Sequence, residues 1–225
     1  MKTYQSVVQG ETLKTDGLVH VEAQPLPAIQ PGQYFRTFAP ASTQVLPVAL
    51  FPFSRTAETL TLCDTFSTAV KPGDSLLLQG PCGRGFEEAL KGRHLVLFAA
   101  VTALENHLHF LMQAALQSGA DVAWVCETCS LPLPPQVELL KPAELHDAIA
   151  WADACATALP LHEIPTLFAG MRLSSAEASK FEVLIETPLA CGNARCGVCS
   201  VQTKKGWQLA CKDGPVFRLG ELQYE

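Results

Sequence analysis

The chain has 225 residues, enough for one large domain or two small ones with real cores, and 48% of them are hydrophobic, which excludes a disordered protein. Charged residues make up 17% and the net charge is −6 without a long basic run, which argues against nucleic acid as a main partner. Nine cysteines are too dilute for a disulfide scaffold, and the longest apolar stretch, Leu95 to Leu104, is about half of the roughly 20 residues a membrane-spanning helix needs.

The N-terminal stretch MKTYQSVVQGETLK has no apolar core of a secretory signal, so a cytoplasmic, reducing location is expected. Up to about residue 80, short apolar or β-branched runs alternate with turn residues. The runs are Val7–Val8, Leu18–Val21, Tyr34–Phe38, Val45–Phe51, Leu60–Cys63 and Ser75–Leu78. Asp16-Gly17, Pro25, Pro27, Pro31-Gly32, Pro40 and Pro72-Gly73-Asp74 separate them. Strands at this spacing predict a small antiparallel barrel or sandwich over residues 1–90, with Gly80 to Gly85 as its exit turn.

Strand–helix alternation follows over residues 91–183. The run Leu95–Val101 predicts a strand buried on both faces. Thr102 and Glu105 have the spacing of a capping box, and Leu104, Leu108, Leu111, Met112, Ala115 and Leu116 share one helical face up to the stop at Ser118-Gly119. A strand is expected over Asp121–Cys126 and a helix over Glu144–Ala156. Strands over Thr166–Ala169 and Phe181–Glu186, with a short helix at Ser175–Lys180, complete an α/β layer of about four strands.

Residues 184–225 hold four cysteines and little room for a hydrophobic core. Cys191, Cys196 and Cys199 give C-x4-C-x2-C, with Cys211 after a gap of eleven residues, the plant-type spacing of a [2Fe–2S] cluster. Two bridged irons need four converging thiolates, of which a tight loop delivers three and a distant segment the fourth. Gly192 and Gly197 let the loop curl with its N–H groups inward, and Arg195, Lys204, Lys205 and Lys212 add positive charge that favours the reduced state. A four-thiolate zinc site is the rival, although such sites more often use two short knuckles.

These residues carry a resemblance. Pro188-Leu-Ala-Cys-Gly-Asn-Ala-Arg-Cys-Gly-Val-Cys199 with Ala210-Cys-Lys-Asp-Gly-Pro-Val-Phe217 resembles the cluster domain of the electron-transfer subunit of dihydroorotate dehydrogenase B. That family reads M-A-C-G-x-G-x-C-x-x-C and C-x-D-G-P-V-F; here Leu189 replaces the methionine and Ala194 the second glycine. Pro31-Gly32-Gln33-Tyr34, Pro52-Phe53-Ser54 and Gly80-Pro-Cys-Gly-Arg-Gly-Phe86 are similar to segments of ferredoxin-reductase-like flavin barrels. The resemblance implies a multi-domain α+β chain with a flavin barrel, a nucleotide-binding-like α/β domain and a cluster segment. It implies a [2Fe–2S] cluster on Cys191, Cys196, Cys199 and Cys211, and FAD held by Pro52, Phe53, Ser54, Thr65, Ser67, Thr68, Gly83, Gly85 and Phe86. Phe53 and Phe86 would flank the flavin ring. Electrons would pass between a nicotinamide couple and a partner, the FMN-containing catalytic subunit of dihydroorotate dehydrogenase or a similar flavoprotein, in pyrimidine biosynthesis. The chain would then form a hetero-oligomer, and its low charge predicts a docking face.

Several departures are specific. Phe51 stands in place of the arginine that meets the FAD pyrophosphate, with Arg55 as the available substitute, and Cys63 to Val70 lacks a glycine-threonine turn. Ala99-Ala-Val-Thr-Ala103 replaces a glycine-rich dinucleotide turn, and its Cβ atoms block the close backbone approach that pyrophosphate needs. Phe168-Ala-Gly-Met171 replaces a C-G-P segment, so NAD is not expected in the usual mode. A cluster-carrying structural or regulatory paralogue without FAD or NAD is the alternative. Cys126-x-x-Cys129, Cys63, Cys82 and Cys155 are expected as core thiols, His107 and His109 as packing residues on nearly opposite sides of a helix, and Glu87-Glu88 as a helix-start pair.

Overall fold

The computed structural model of the chain describes residues 2–8, 18–23, 27–38, 46–63, 73–101, 104–129 and 132–223. Six antiparallel strands form the first unit: β1 (Lys2–Val8), β2 (Leu18–Ala23), β3 (Tyr34–Phe38), β4 (Val48–Arg55), β5 (Thr59–Cys63) and β6 (Ser75–Cys82). They close into a barrel in the order β1-β2-β5-β4-β3-β6. Alternation sends Val19, Val21, Phe35, Leu50, Leu60, Leu62, Leu76 and Leu78 into one buried cluster. β4 reaches Arg55, beyond the predicted end at Phe51, because its register with β5 shifts between Pro52 and Ser54. Such a bulge admits a proline inside a strand and re-aims the residue beside it, here Phe53.

The second unit is a six-stranded sheet in the order β14-β11-β10-β7-β8-β9. It comprises β7 (His94–Ala99), β8 (Asp121–Val125), β9 (Val137–Leu140), β10 (Ala154–Pro160), β11 (Phe181–Glu186) and β14 (Val216–Arg218). All but β14 run parallel. The helices are α1 (Glu105–Gln117), α2 (Leu145–Trp151), α3 (Ile164–Met171), α4 (Ser175–Ser179) and α5 (Ala210–Asp213), and a hairpin joins β12 (Ser200–Thr203) to β13 (Gly206–Leu209). Among the described residues no helix is long and apolar enough to cross a membrane.

Three expectations are corrected here. The helix predicted to reach Ala156 ends at Trp151, because Ala152 turns extended and Asp153 Oδ2 accepts from the backbone N–H groups of Arg93 and His94 at 3.0 and 3.1 Å. Residues 154–156 open β10, whose first six residues are all buried, as a strand covered on both faces requires. The strand predicted over Thr166–Ala169 is α3: Pro165 sits in its first turn, and Ile164 and Phe168, four residues apart, are its buried side. The sheet therefore has six strands rather than four, since β9 and β14 extend its edges.

Helix α1 starts at Glu105 with Leu104 at the cap and no side-chain capping bond; Thr102 of the expected capping box lies outside the described residues. The helix lies between β4 and the sheet. Leu104, Leu108, Leu111, Met112 and Ala115 are buried as predicted, and so are His107 and His109. A helix enclosed on two sides buries most of its circumference, so both histidines reach β4 instead of diverging. Residues 87–90 form turns, not the expected helix start, because the backbone N–H groups of Glu87, Glu88 and Ala89 all donate to the buried carboxylate of Glu182 on β11, at 2.9 to 3.1 Å.

Candidate functional site

The four cysteines meet where the loop after β11 faces α5. Glycines at 192 and 197 hold φ of 58° and 72°, and Ala194, where the resembling family has glycine, holds 60°. These left-handed positions fold the loop back on itself. Its N–H groups turn inward: Arg195 N donates to Cys191 Sγ at 3.4 Å and Ala194 N to Cys211 Sγ at 3.3 Å. Cys211 N donates to Cys199 Sγ at 3.4 Å, and Ala210 N to the Cys199 carbonyl at 2.9 Å. Asp213 closes α5 back on Leu209 N at 3.0 Å.

Cys191 neighbours Cys196, and Cys211 neighbours Cys199, with Cys191 also close enough to act on Cys211 electrostatically. Burial works to raise the Cys191 thiol, but donation from the N–H groups of Asn193, Cys196 and Arg195 outweighs it and brings the pKa down to about 6. Burial first, then the neighbouring Cys199, pushes Cys211 up to about 12. Among the described residues no three side chains of the ligating kinds converge as a single ion would require. Cys199 and Cys211 are buried, Cys191 is half-buried and Cys196 is exposed, so the four run from interior to surface. Arg195, Lys204, Lys205 and Lys212 are exposed around them.

The barrel braces this loop through Tyr34, known from the sequence only as the end of the Pro31–Tyr34 motif, and through Arg36, which no motif marked. Tyr34 of β3, fully buried, donates its hydroxyl to the Cys211 carbonyl at 3.4 Å, and burial raises its pKa. The Arg36 stem lies against Gly192, while its Nη1 donates to Gln79 at 3.1 Å. Alternation along β3 shows which face each residue takes, but no local signal marks contact with a loop so distant in sequence.

A cleft of about 220 Å³ opens beside the cysteine loop, lined by Val48 and Phe51 of β4, His107 of α1, Ile185 of β11, and Pro188 and Leu189. His107 is buried, and its Nδ1 has no hydrogen-bond partner. Ligand pockets run from roughly 300 to 1,000 Å³, so this cleft fits a planar ring and not a whole dinucleotide. A mainly apolar slot, with His107, Glu186 and Thr187 as its polar residues, suits the ring of a flavin. For the pyrophosphate the residues fit less well: Phe51 is buried in the core, and Arg55 donates to the Pro27 carbonyl at 3.2 Å.

The expected FAD residues divide. Pro52, Phe53 and Ser54 lie on β4, but Phe53 stacks on His109 at 4.0 Å with the rings 5° from parallel, and its carbonyl bonds His109 Nδ1 at 3.1 Å. Phe86 is wholly buried against Gly32, and its N–H donates to the Pro31 carbonyl at 2.9 Å. Gly83 and Gly85 pack against Gly214–Pro215 and Pro31, leaving no space for a Cβ. They join the barrel to the C-terminal segment. Thr65, Ser67 and Thr68 lie outside the described residues. Phe168 to Met171 belong to α3.

Cys63, Cys82 and Cys155 are buried as expected. Cys126 and Cys129 are not buried thiols: they are joined in a disulfide, with Cα atoms 5.8 Å apart, after the end of β8.

The comparisons agree with this layout. Residues 186–223 match the family described as the iron–sulfur cluster binding domain of dihydroorotate dehydrogenase B. Over 86% of this chain and 80% of its relative, the sequence is 24% identical to the sulfhydrogenase 1 subunit gamma of Pyrococcus furiosus. The structure of the NADH-dependent reduced ferredoxin–NADP oxidoreductase, studied for flavin-based electron bifurcation, superposes with a TM-score of 0.71 and 17% identity, over 98% of this chain and 90% of that one. The ferredoxin–NADP+ reductase of Plasmodium falciparum gives 0.59 and 9%, over 82% and 96%. The chain therefore has the ferredoxin-reductase-like fold and is similar to the dihydroorotate dehydrogenase B electron-transfer subunits.

Proposed function

We propose that this chain is an electron-transfer subunit that carries a [2Fe–2S] cluster on Cys191, Cys196, Cys199 and Cys211. The meeting of four cysteines of plant-type spacing from one loop and one short helix, with backbone N–H groups turned to their sulfurs, carries this reading. Structural zinc sites more often use two short knuckles. A bound cluster would exchange one electron at a time. The protein supplies the inward N–H groups of Ala194, Arg195 and Cys211, which favour negative charge on sulfur, and the surrounding cations, which favour the reduced state. The cleft beside Pro188 and Leu189 is the place for a flavin ring, with Phe51 and Val48 as apolar walls and His107, Glu186 and Thr187 as the polar residues that line it. Its position next to the cysteine loop supports exchange between ring and cluster.

The partner in this reading is a protein, the FMN-containing catalytic subunit of dihydroorotate dehydrogenase or a similar flavoprotein. Val198, inside the cysteine loop, and Trp207, on the β12–β13 hairpin, are 57% and 70% exposed, and such side chains on a cluster segment support docking there. Anaerobic affinity purification, with iron, sulfide and flavin analysis of the eluate, tests all three parts. About two irons and two sulfides per chain are expected, with flavin and a co-purifying flavoprotein. A colourless, zinc-loaded chain without acid-labile sulfide contradicts the reading.

A second reading has its own support: the paralogue that keeps the cluster without FAD or NAD. His109 covers one face of Phe53, Arg55 is engaged at Pro27, and Ala99 and Val101 stand where a dinucleotide turn needs glycine. Reconstitution that restores iron but retains no flavin distinguishes it from the first.

A further inference from the structure

We propose that Cys126 and Cys129 form a redox-active disulfide that exchanges with an external dithiol protein of the thioredoxin class. It draws on the cluster reading only for the state of Cys196. Outside the pair, Cys196 is exposed and in no disulfide, and it has to be a reduced thiol before it can take iron. Surroundings oxidising enough to lock a structural disulfide would also oxidise an exposed thiol, and surroundings that keep such thiols reduced rarely leave a structural disulfide in place. A pair that cycles satisfies both conditions.

The placement suits exchange. Cys126 directly follows β8, and β7, β8, β10 and β11 are parallel, so all four end on one edge of the sheet. In open α/β sheets that edge is where ligands and partners approach. The loop to Cys191 leaves the same edge from β11, three strand spacings or roughly 14 Å away. Both sulfur-bearing residues are half-buried and the two between them, Glu127 and Thr128, are exposed, so a thiolate can reach the bond. The buried Cys63, Cys82 and Cys155 offer no such access. The pair also stays together when open: the Cys126 N–H donates to the Leu140 carbonyl at 3.1 Å, and only two residues separate the thiols.

The exchange balances without a cofactor. A thiolate of the external dithiol attacks one sulfur of the pair, the Cys126–Cys129 bond breaks, and the departing sulfur takes a proton. The second external thiol then displaces the mixed disulfide. The chain gains two electrons and two protons, and the external dithiol becomes a disulfide.

The native holoprotein, equilibrated anaerobically at graded ratios of reduced to oxidised dithiothreitol, and separately with reduced thioredoxin, is alkylated without unfolding and mapped by mass spectrometry, with iron measured on a parallel aliquot. Cys126 and Cys129 are expected to gain label together in one reversible two-electron step with either reductant, without loss of iron and without label at Cys63, Cys82 or Cys155. Cys126→Ser is expected to remove the step, leave Cys129 labelled at every ratio and keep the iron. Labelling only after unfolding would make the pair a structural clip, and labelling at every ratio would mean that the thiols never pair; either overturns the proposal. Reduction by dithiothreitol but not by thioredoxin overturns the assignment to a protein dithiol.

Discussion

At Ala194 the backbone holds a φ of 60° while its N–H points at Cys211 Sγ. An L-residue there brings Cβ close to the next carbonyl, which costs roughly 1–2 kcal/mol, and glycine avoids it at the cost of a more flexible unfolded chain. Ala194→Gly is therefore expected to stabilise the protein by up to about 1 kcal/mol and raise the thermal midpoint by about 1–3 °C. Gly192 is the opposite case. Its φ is 58°, and a Cβ would stand 2.2 Å from Arg36 Cδ. Gly192→Ala is expected to cost about 2 kcal/mol and lower the iron content of purified protein, with Arg36→Ala in the same chain restoring part of both. The cysteine spacing and the glycine at 192 were legible in the sequence because each acts within one loop. Arg36 and Tyr34 were not, because only the approach of β3 to that loop gives them a role.

Between elements, the contact of α1 with β4 rests on two histidines. Burial lowers the pKa of His107 from 6.5 to about 4, against the nearby Leu104 backbone, which works to raise it. Burial lowers His109 as well, opposed by the Phe53 carbonyl. The folded protein thus keeps His107 neutral where the unfolded chain has taken a proton. Its contribution is present above pH 6.5 and is lost as pH falls from there toward 4. Between pH 7.5 and 5 this amounts to about 2 kcal/mol, to be read from urea midpoints, and His107→Leu is expected to lose most of that slope. Glu182 ties a second pair of elements, since its carboxylate gathers three backbone N–H groups of the turn after β6. Glu182→Gln keeps the shape but weakens these bonds, with an expected cost of about 2 kcal/mol in chemical unfolding. Strand periodicity located all six barrel strands, and β2, β3 and β5 nearly to their ends. It failed at 154–156 and 166–169, where short apolar runs of alanine, leucine and threonine satisfy either period and tertiary burial decides. The carboxylate of Glu182 gave no signal, since an acidic residue in an apolar strand reads as an outward position.

Across the whole molecule, the barrel, the sheet and the cysteine segment are not independent. β14, from beyond the cysteines, completes the sheet beside β11, so the chain must fold through the cysteine loop before the sheet edge closes. Arg84 N donates to the Gly214 carbonyl and Gln33 Nε2 to the Gly83 carbonyl, while Arg218 pairs with Glu88 at 2.6 Å. Gly32 leaves room for Val216 and Phe86, and Tyr34 joins β3 to Cys211. Apart from Gln33–Gly83, which lies within the barrel, these contacts tie the barrel to the C-terminal segment, and those of Gly32 and Tyr34 are buried. A single cooperative transition is therefore expected in guanidinium, with visible absorbance from the cysteine site and far-ultraviolet circular dichroism falling at the same midpoint. If the barrel melted separately, the dichroism curve would show two steps and the absorbance would follow only one. Gly83→Ala, which drives a Cβ into the Gly214 carbonyl and Pro215, is expected to split the coincident curves by loosening the barrel from the segment that holds Cys211.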